Sequence, residues 1–436
     1  MMGIKKRIAI IGSGASGIAA ARSISHIYGD QVDLTLFEKN DYIGGKSRTT
    51  MIDGRNYELG SGLIISSPLK KTVFHKALDE ANVTLENARK DKRGIVYYSG
   101  GKVYKSPDEY NVKALFSTKR LFRYVRDVPI FVFRQLQFDL MIKLNRHPHS
   151  RYFAMPLDKN YGLWFVNRFA FGMQGFGYAD TSDSKLCPAT YYYHQYFDFR
   201  MLFKLSVIVK EGTQTIWERL AAEFKEDISL GTTVTSLEKQ GSQVLVNTDK
   251  GSEKFDYVIN TLALPTAFAL STLSQSEEEI TKHVKCNPYV TVMAELANMN
   301  NIGSFNMDTI TASNRLGEAM FVYKRYADSA ICTINVVLKD ENTDDETIID
   351  HTAASLEEGF GATMVDKKSA QVVRWKDYFS YLEGEQISDG WFEEFENEIQ
   401  AKHGILYIGS GLHFESLEQS YNYSYKRVKD FLAKQL

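Results

Sequence analysis

Arg7-Ile8-Ala9-Ile10-Ile11-Gly12-Ser13-Gly14-Ala15-Ser16-Gly17 runs from a short branched apolar segment straight into glycines spaced G-x-G-x-x-G. The apolar segment reads as a buried parallel strand. Ile18 to Ile27 then carry alanines and apolar residues at helical spacing, so the glycine loop opens a helix. In that context the first glycine permits a tight turn, the second lets the backbone approach a pyrophosphate, and the third lets helix pack on strand. The helix start presents free N–H groups and the positive dipole end to phosphates. A second strand, Val32 to Phe37, ends at Glu38, whose carboxylate can accept hydrogen bonds from the adenosine ribose. A glycine loop also occurs for purely conformational reasons. Strand, helix, second strand and terminal acid together favour a dinucleotide site, with Gly12, Ser13, Gly14, Ala15, Ser16, Gly17, Glu38 and the adjoining Lys39 as its residues.

Outward from that stretch, the 436 residues carry 52 basic and 54 acidic side chains, a net charge of -2 that argues against nucleic acid as a partner. At 44% hydrophobic and 13% aromatic the chain can bury a large core. Cys187, Cys286 and Cys332 are widely spaced and form no CxxC pair, which fits a reducing compartment. The first thirty or so residues lack the order of a secretory signal, and no apolar run is long enough for a membrane span. A cytoplasmic protein is expected, with contact to a membrane surface left open.

A Glu at the end of the second strand suits NAD or FAD equally. The next residues decide between them: Lys39-Asn40-Asp41-Tyr42-Ile43-Gly44-Gly45-Lys46-Ser47-Arg48-Thr49 resembles the extension in the FAD-dependent amine-oxidase and protoporphyrinogen-oxidase superfamily. Gly44 and Gly45 let the backbone run beside a cofactor, while Lys46, Ser47 and Arg48 offer donors to a diphosphate. By the resemblance, Gly60-Ser61-Gly62 passes near the flavin ring, although an ordinary turn fits the local sequence too. The resemblance extends to the glycine turn at Glu211-Gly212-Thr213-Gln214, to Val234 as an adenine contact, and to a run of strands over 228–235, 243–247 and 255–262. It ends with a closing strand, Gly404-Ile405-Leu406-Tyr407-Ile408-Gly409-Ser410-Gly411, and a helix over 420–432. There Gly409, Ser410, Glu418 and Gln419 are the implied cofactor contacts, with Glu418-Gln419-Ser420 replacing the usual small Gly-Ala step.

The expected architecture is therefore α/β: a Rossmann-type, glutathione-reductase-like FAD-binding domain from residues 1–85, 206–271 and 386–436. Residues 86–205 and 272–385, rich in rings and helical periodicity, would form an α+β substrate or cap domain. Residues 119–146 read either as a helix with its apolar stripe on the core, or as an entrance helix touching a membrane or an anionic amphiphile. The rings over 164–178 and 191–199 fit core packing or the lining of an apolar tunnel.

Within the superfamily the chain resembles the FAD-dependent polyenoic fatty acid isomerases. The resemblance is carried by Gly54-Arg55-Asn56-Tyr57-Glu58-Leu59-Gly60, Phe176-Gly177-Tyr178, Pro188-Ala189, Gln195-Tyr196-Phe197-Asp198-Phe199, Val322 to Asp328 and Tyr378-Phe379. It implies a redox-neutral shift of linoleate-type double bonds into conjugation, with an apolar carboxylic acid as substrate. It also implies a cationic carboxylate anchor at Arg93, with Arg89 in reserve and a surface role fitting either arginine as well, and an aromatic gate at Phe203, with Leu205 equally alignable. An oxidase or desaturase of the same fold is the main alternative; a non-catalytic flavin or lipid binder is the second. The histidines and carboxylates show no metal-ligand spacing, and Ser13 and Ser16 lie in no hydrolase motif.

Overall fold

The structure is a computed structural model that describes residues 5–66, 72–87, 92–105, 205–286, 288–310, 317–382, 390–413 and 415–436, with single positions at 129, 133 and 386. The stretch 119–146, apart from positions 129 and 133, the ring-rich stretches 164–178 and 191–199, Cys187, Arg89 and Phe203 lie outside the described residues. The chain divides into two compact units, one from Met1–Ala88, Phe199–Val284 and Phe392–Leu436, the other from Arg89–Asp198 and Lys285–Trp391. The domain edges expected at 85, 206, 271 and 386 fall at 88, 199, 284 and 392.

The first unit is built on a parallel sheet ordered Ile228–Ser229, Val32–Phe37, Lys6–Ile11, Tyr257–Asn260, Ile405–Tyr407. Numbered along the chain, these five strands lie 3-2-1-4-5, the doubly wound arrangement. Its apolar segments are buried on both faces: helices cover one, and on the other the Phe37 ring meets that of Phe255 at 5.9 Å. Ile8, Ile10, Leu36, Ile259 and Leu406 meet Ile18 and Ile24 of the helix Ala15–Tyr28 in one core. That helix lies against the closing helix Leu417–Leu432: the Ser23 hydroxyl donates to the Tyr425 carbonyl (2.9 Å), and the Tyr28 phenol to that of Lys429 (3.3 Å). Between them, buried Arg22 is held by Glu80, Glu223 and the Tyr421 hydroxyl.

The expected run of strands after Ile228 sorts into two sheets. Val234–Gln240, Gln243–Thr248 and Gly251–Phe255 form an antiparallel meander. The segment 255–262, expected as one strand, divides at Asp256: Phe255 closes the meander and Tyr257–Asn260 joins the parallel sheet beside the first strand. Asp256 marks the change by bonding Arg7, whose backbone N–H donates to its carboxylate at 2.8 Å.

The second unit contains an eight-stranded sheet in which Tyr289–Ala297 pairs antiparallel with Ile331–Val337 on one side and with Gln371–Trp375 and Thr363–Met364 on the other. It continues through Ala319–Tyr323 and Gly303–Asn306 to Ile95–Ser99 and Lys102–Tyr104. The helix Asp345–Phe360 packs on it through Ile348, Leu356 and Phe360, with Asp344 accepting from the Thr347 N–H at its start (2.8 Å) and Gly361 left-handed at its end (φ 64°). Where 272–385 is described, it is thus more strand than its helical periodicity suggests. Tyr289–Ala297 is buried on both faces over most of its length, so the period-2 alternation that marks a strand is missing.

Candidate functional site

The sheet order places the strands Lys6–Ile11 and Tyr257–Asn260 side by side while their continuations leave in opposite directions, the position at which doubly wound sheets bind ligands beyond the strand ends. Gly12 turns there with φ +97°, its N–H donating to the Phe37 carbonyl at 2.8 Å. A Cβ on Gly17 would stand 1.8 Å from the Gly12 carbonyl oxygen, so that glycine is demanded by helix-on-strand packing. Gly14 differs: a Cβ there would meet only Gly45 Cα at 3.7 Å and the Gly44 oxygen at 3.9 Å, ordinary contacts. Folding does not require that glycine, and a group brought against the loop would. Gly14 caps the helix without a side-chain hydrogen bond, and the first turn, with Ala15 and Ser16, carries no acid. Its N–H groups suit a phosphate.

The second glycine pair closes on the first. Gly44 and Gly45 have φ of 134° and 55°; the Gly44 N–H donates to the Ser13 carbonyl at 3.2 Å, and a Cβ on Gly45 would lie 3.0 Å from Gly14 Cα. Ser47 is buried beside them. The Lys46 ammonium pairs with Glu415, so this expected diphosphate donor is also a tie to the closing segment. Gly60 and Ser61 return alongside, Ser61 N–H donating to the Lys46 carbonyl at 2.9 Å, and Gly62 presses on the Glu58 side chain. Arg48 stacks over the Tyr42 ring at 5.3 Å. Burial pushes the Tyr42 phenol up, an effect Arg48 opposes and Glu38 and Asp41 reinforce.

Glu38 is only 5% exposed. Its Oε2 accepts from the Ser13 N–H (2.9 Å) and hydroxyl (2.6 Å), its Oε1 from the Asn40 N–H (2.9 Å) and side-chain amide (2.7 Å). Its own backbone is laced to the loop before Val234: Glu38 N–H donates to the Ser229 carbonyl and Thr232 N–H to that of Glu38. Val234 is buried, and Lys39 points into solvent.

Read from sequence, Glu58 has no role beyond its strand, yet at 2% exposure it joins two segments of the site. It accepts from the Thr213 N–H (2.9 Å) and hydroxyl (3.0 Å) and from the Thr49 hydroxyl (2.8 Å). Gly212, with φ +97°, lies so close to Thr49 that a Cβ would come within 2.5 Å of its methyl. The one signal in the sequence is a lone acid in a short strand before Gly60-Ser61-Gly62.

In the closing segment, a Cβ on Gly409 would sit 1.6 Å from the Leu262 carbonyl oxygen, and the buried Ser410 carbonyl accepts from the Leu264 N–H at 3.2 Å. The helix begins earlier than expected, at Leu417, because Ser416 caps it by accepting from the Gln419 N–H at 3.2 Å. Glu418 lies in its first turn, 6% exposed, with Oε1 facing the Thr72 hydroxyl at 3.4 Å and Oε2 without a partner among the described residues. An orphaned buried acceptor of this kind fits a donor-bearing ligand.

Arg93 lies in the second unit, where its guanidinium donates to the Lys324 and Arg325 carbonyls, both at 2.8 Å. It therefore clamps a turn. Leu205 begins the strand Leu205–Val209, paired with Ile64–Ser66. Among the described residues no group of three or more His, Cys, Asp or Glu gathers to hold a metal, and no helix is long and apolar enough to cross a membrane.

A model of the family described as flavin containing amine oxidoreductase matches residues 15–394. Prenylcysteine oxidase 1 of Pongo abelii is 36% identical over 77 residues, 18% of this chain and only 15% of that protein. The solved CLA-producing fatty acid isomerase from P. acnes superposes with a TM-score of 0.75 at 19% identity, covering 99% of both chains. A putative protoporphyrinogen oxidase from Exiguobacterium sp. 255-15 does so with a TM-score of 0.69 at 17% identity, covering 99% of this chain and 100% of the other. At such identities the likeness is one of fold.

Proposed function

The chain belongs to the flavin containing amine oxidoreductase family, and on that premise we propose that it is an FAD-dependent isomerase of polyunsaturated fatty acids, moving a double bond into conjugation without net oxidation. The observation that carries the cofactor reading is the pairing of the Gly12–Gly17 and Gly44–Gly45 loops over the sheet's switch point, where Gly14 leaves a cradle that a side chain would fill. Gly12, Gly14 and the uncapped start of the helix Ala15–Tyr28 would hold the diphosphate, Glu38 the adenosine ribose, and Gly409 to Gln419 the far end of the cofactor. When bound, FAD supplies reversible hydride acceptance. The chain's own work is to orient the fatty acid and exclude water, so that the hydride removed with its electron pair from a methylene between two double bonds returns to another carbon of the same molecule. The substrate's formula is unchanged, and no external oxidant is consumed.

Preference for isomerisation is supported by the likeness to the CLA-producing fatty acid isomerase along 99% of both chains. The oxidase reading draws on the family description and on the prenylcysteine oxidase match. An anaerobic mixture of FAD-loaded protein and linoleate separates them. Isomerisation gives a growing conjugated-diene absorbance over many turnovers while the oxidised flavin band persists. Lasting bleaching, with peroxide on admitting air, would replace the proposal with an oxidase or desaturase; binding without either change would make the chain a carrier.

A further inference from the structure

A carboxylate has about four acceptor positions. In Glu38 all four are filled from within the chain, two by backbone N–H groups and two by the Ser13 hydroxyl and the Asn40 side-chain amide. A ribose diol that donates to this carboxylate therefore has to displace something. The backbone donors cannot leave: Ser13 sits in a loop fixed by the Gly12-to-Phe37 and Gly44-to-Ser13 bonds, and the Asn40 carbonyl accepts from the Gly231 N–H at 2.8 Å. The two side-chain donors can leave by rotation alone.

We propose that the Ser13 hydroxyl and the Asn40 side-chain amide are exchangeable stand-ins for the two ribose hydroxyls, and that these two side chains set the affinity and the sugar selectivity of the adenosine seat. The idea deepens the proposed flavin function and rests on it only in that an adenosine must reach Glu38. In their places the two donors hold the buried carboxylate aimed at the crevice. Each must be detached before a hydroxyl can bind, so much of what the ribose gains is offset, and discrimination between ribose and deoxyribose is blunted.

The test uses the full-length, FAD-loaded protein, diluted until flavin equilibrates, with released FAD fluorescence as the readout and ADP or 2′-deoxy-ADP as displacing ligands. Ser13→Ala and Asn40→Ala should each tighten FAD and ADP by about three- to tenfold, the scale of one net hydrogen bond. In the double variant the preference for ADP over 2′-deoxy-ADP should rise by about tenfold over wild type. Unchanged or weaker binding in the variants, or a preference that does not rise, overturns the proposal. If Ser13→Ala fails to fold, as judged by circular dichroism, Asn40→Ala alone carries the same sign. FAD retention with unaffected variants would sink this inference and leave the function standing. Gains seen for ADP, with displaceable FAD absent and a fluorescent ADP analogue as the reporter, would sink the function and leave this inference. Protein that binds neither ligand overturns both.

Discussion

The buried carboxylate of Glu58 accepts two hydrogen bonds from Thr213, a residue 155 positions further along the chain, one from its backbone and one from its hydroxyl. With Thr49 as third donor, this contact fastens the hairpin that comes after the Gly44–Gly45 loop to the glycine turn at Gly212. Two further hydrogen bonds join the same segments: the Thr49 N–H donates to the Gln214 side-chain oxygen at 3.0 Å, and the Gln214 N–H to the Thr49 hydroxyl at 3.3 Å.

Glu58→Ala removes the acceptor of three donors and is expected to lower stability by about 3 kcal/mol, since each stranded buried donor costs roughly 1 kcal/mol or more. Thr213→Val removes only the hydroxyl and should cost about 1 kcal/mol. Urea denaturation of both single variants and the double variant measures this. Additive effects, with no coupling between the two positions, would show that the bond is not what joins the segments.

The two inner glycines should separate folding from cofactor binding. Gly17→Ala forces a methyl to 1.8 Å from a carbonyl oxygen and should lose both soluble folded protein and flavin. Gly14→Ala meets only ordinary contacts within the chain, so it should fold with a near-native melting temperature and yet bind FAD at least about tenfold more weakly, because its methyl enters the cradle. Full flavin content in Gly14→Ala would place the cofactor elsewhere.

Arg93 has a structural duty and a proposed substrate duty. Arg93→Ala should lower the melting temperature by a few degrees through the lost Lys324 and Arg325 carbonyl contacts, while flavin content stays at the wild-type level. If the guanidinium also anchors the fatty-acid carboxylate, KM for linoleate rises about tenfold or more in the variant, the scale of a charge-assisted contact. Methyl linoleate, lacking the charge, should then show the same KM with both proteins. Equal linoleate kinetics would leave Arg93 with its structural duty alone.

Burial pushes the Cys332 thiol up to about 12, with the nearby Lys324 and Arg93 charges pulling the other way. Its folded-state value lies above that of the unfolded chain, so its contribution to stability is whole below pH 9 and is lost as pH rises toward 12. Alkylation and peptide mapping should find Cys332 unmodified in native protein at neutral pH and labelled after denaturation. Rapid labelling of the native thiol would contradict its place in the sheet.

Much of the first unit is legible in the sequence because its signals are local. The strand to Ile11, the glycine loop and the strand Val32–Phe37 are contiguous, and each constrains the next through backbone geometry that sequence spells directly. The closing strand can be read for the same reason, although its helix starts three residues early on a Ser416 cap. What escapes depends on distance along the chain. Nothing near Glu58 announces Thr213, and nothing in the motif tells that Ser13 and Asn40 fill the carboxylate assigned to ribose. Sheet membership at Asp256 is hidden as well, because one apolar run serves two sheets. In the second unit, a strand buried on both faces erases the alternation that periodicity relies on.

If separated stretches of this chain gather to hold one FAD, the identity and amount of nucleotide released when the purified protein is denatured by heat or acid will show it. The expected release is FAD, in a ratio approaching one per chain, with Gly14→Ala depleted of it. Release of FMN or a nicotinamide dinucleotide instead, or protein that neither carries FAD nor takes it up when supplied, would contradict it.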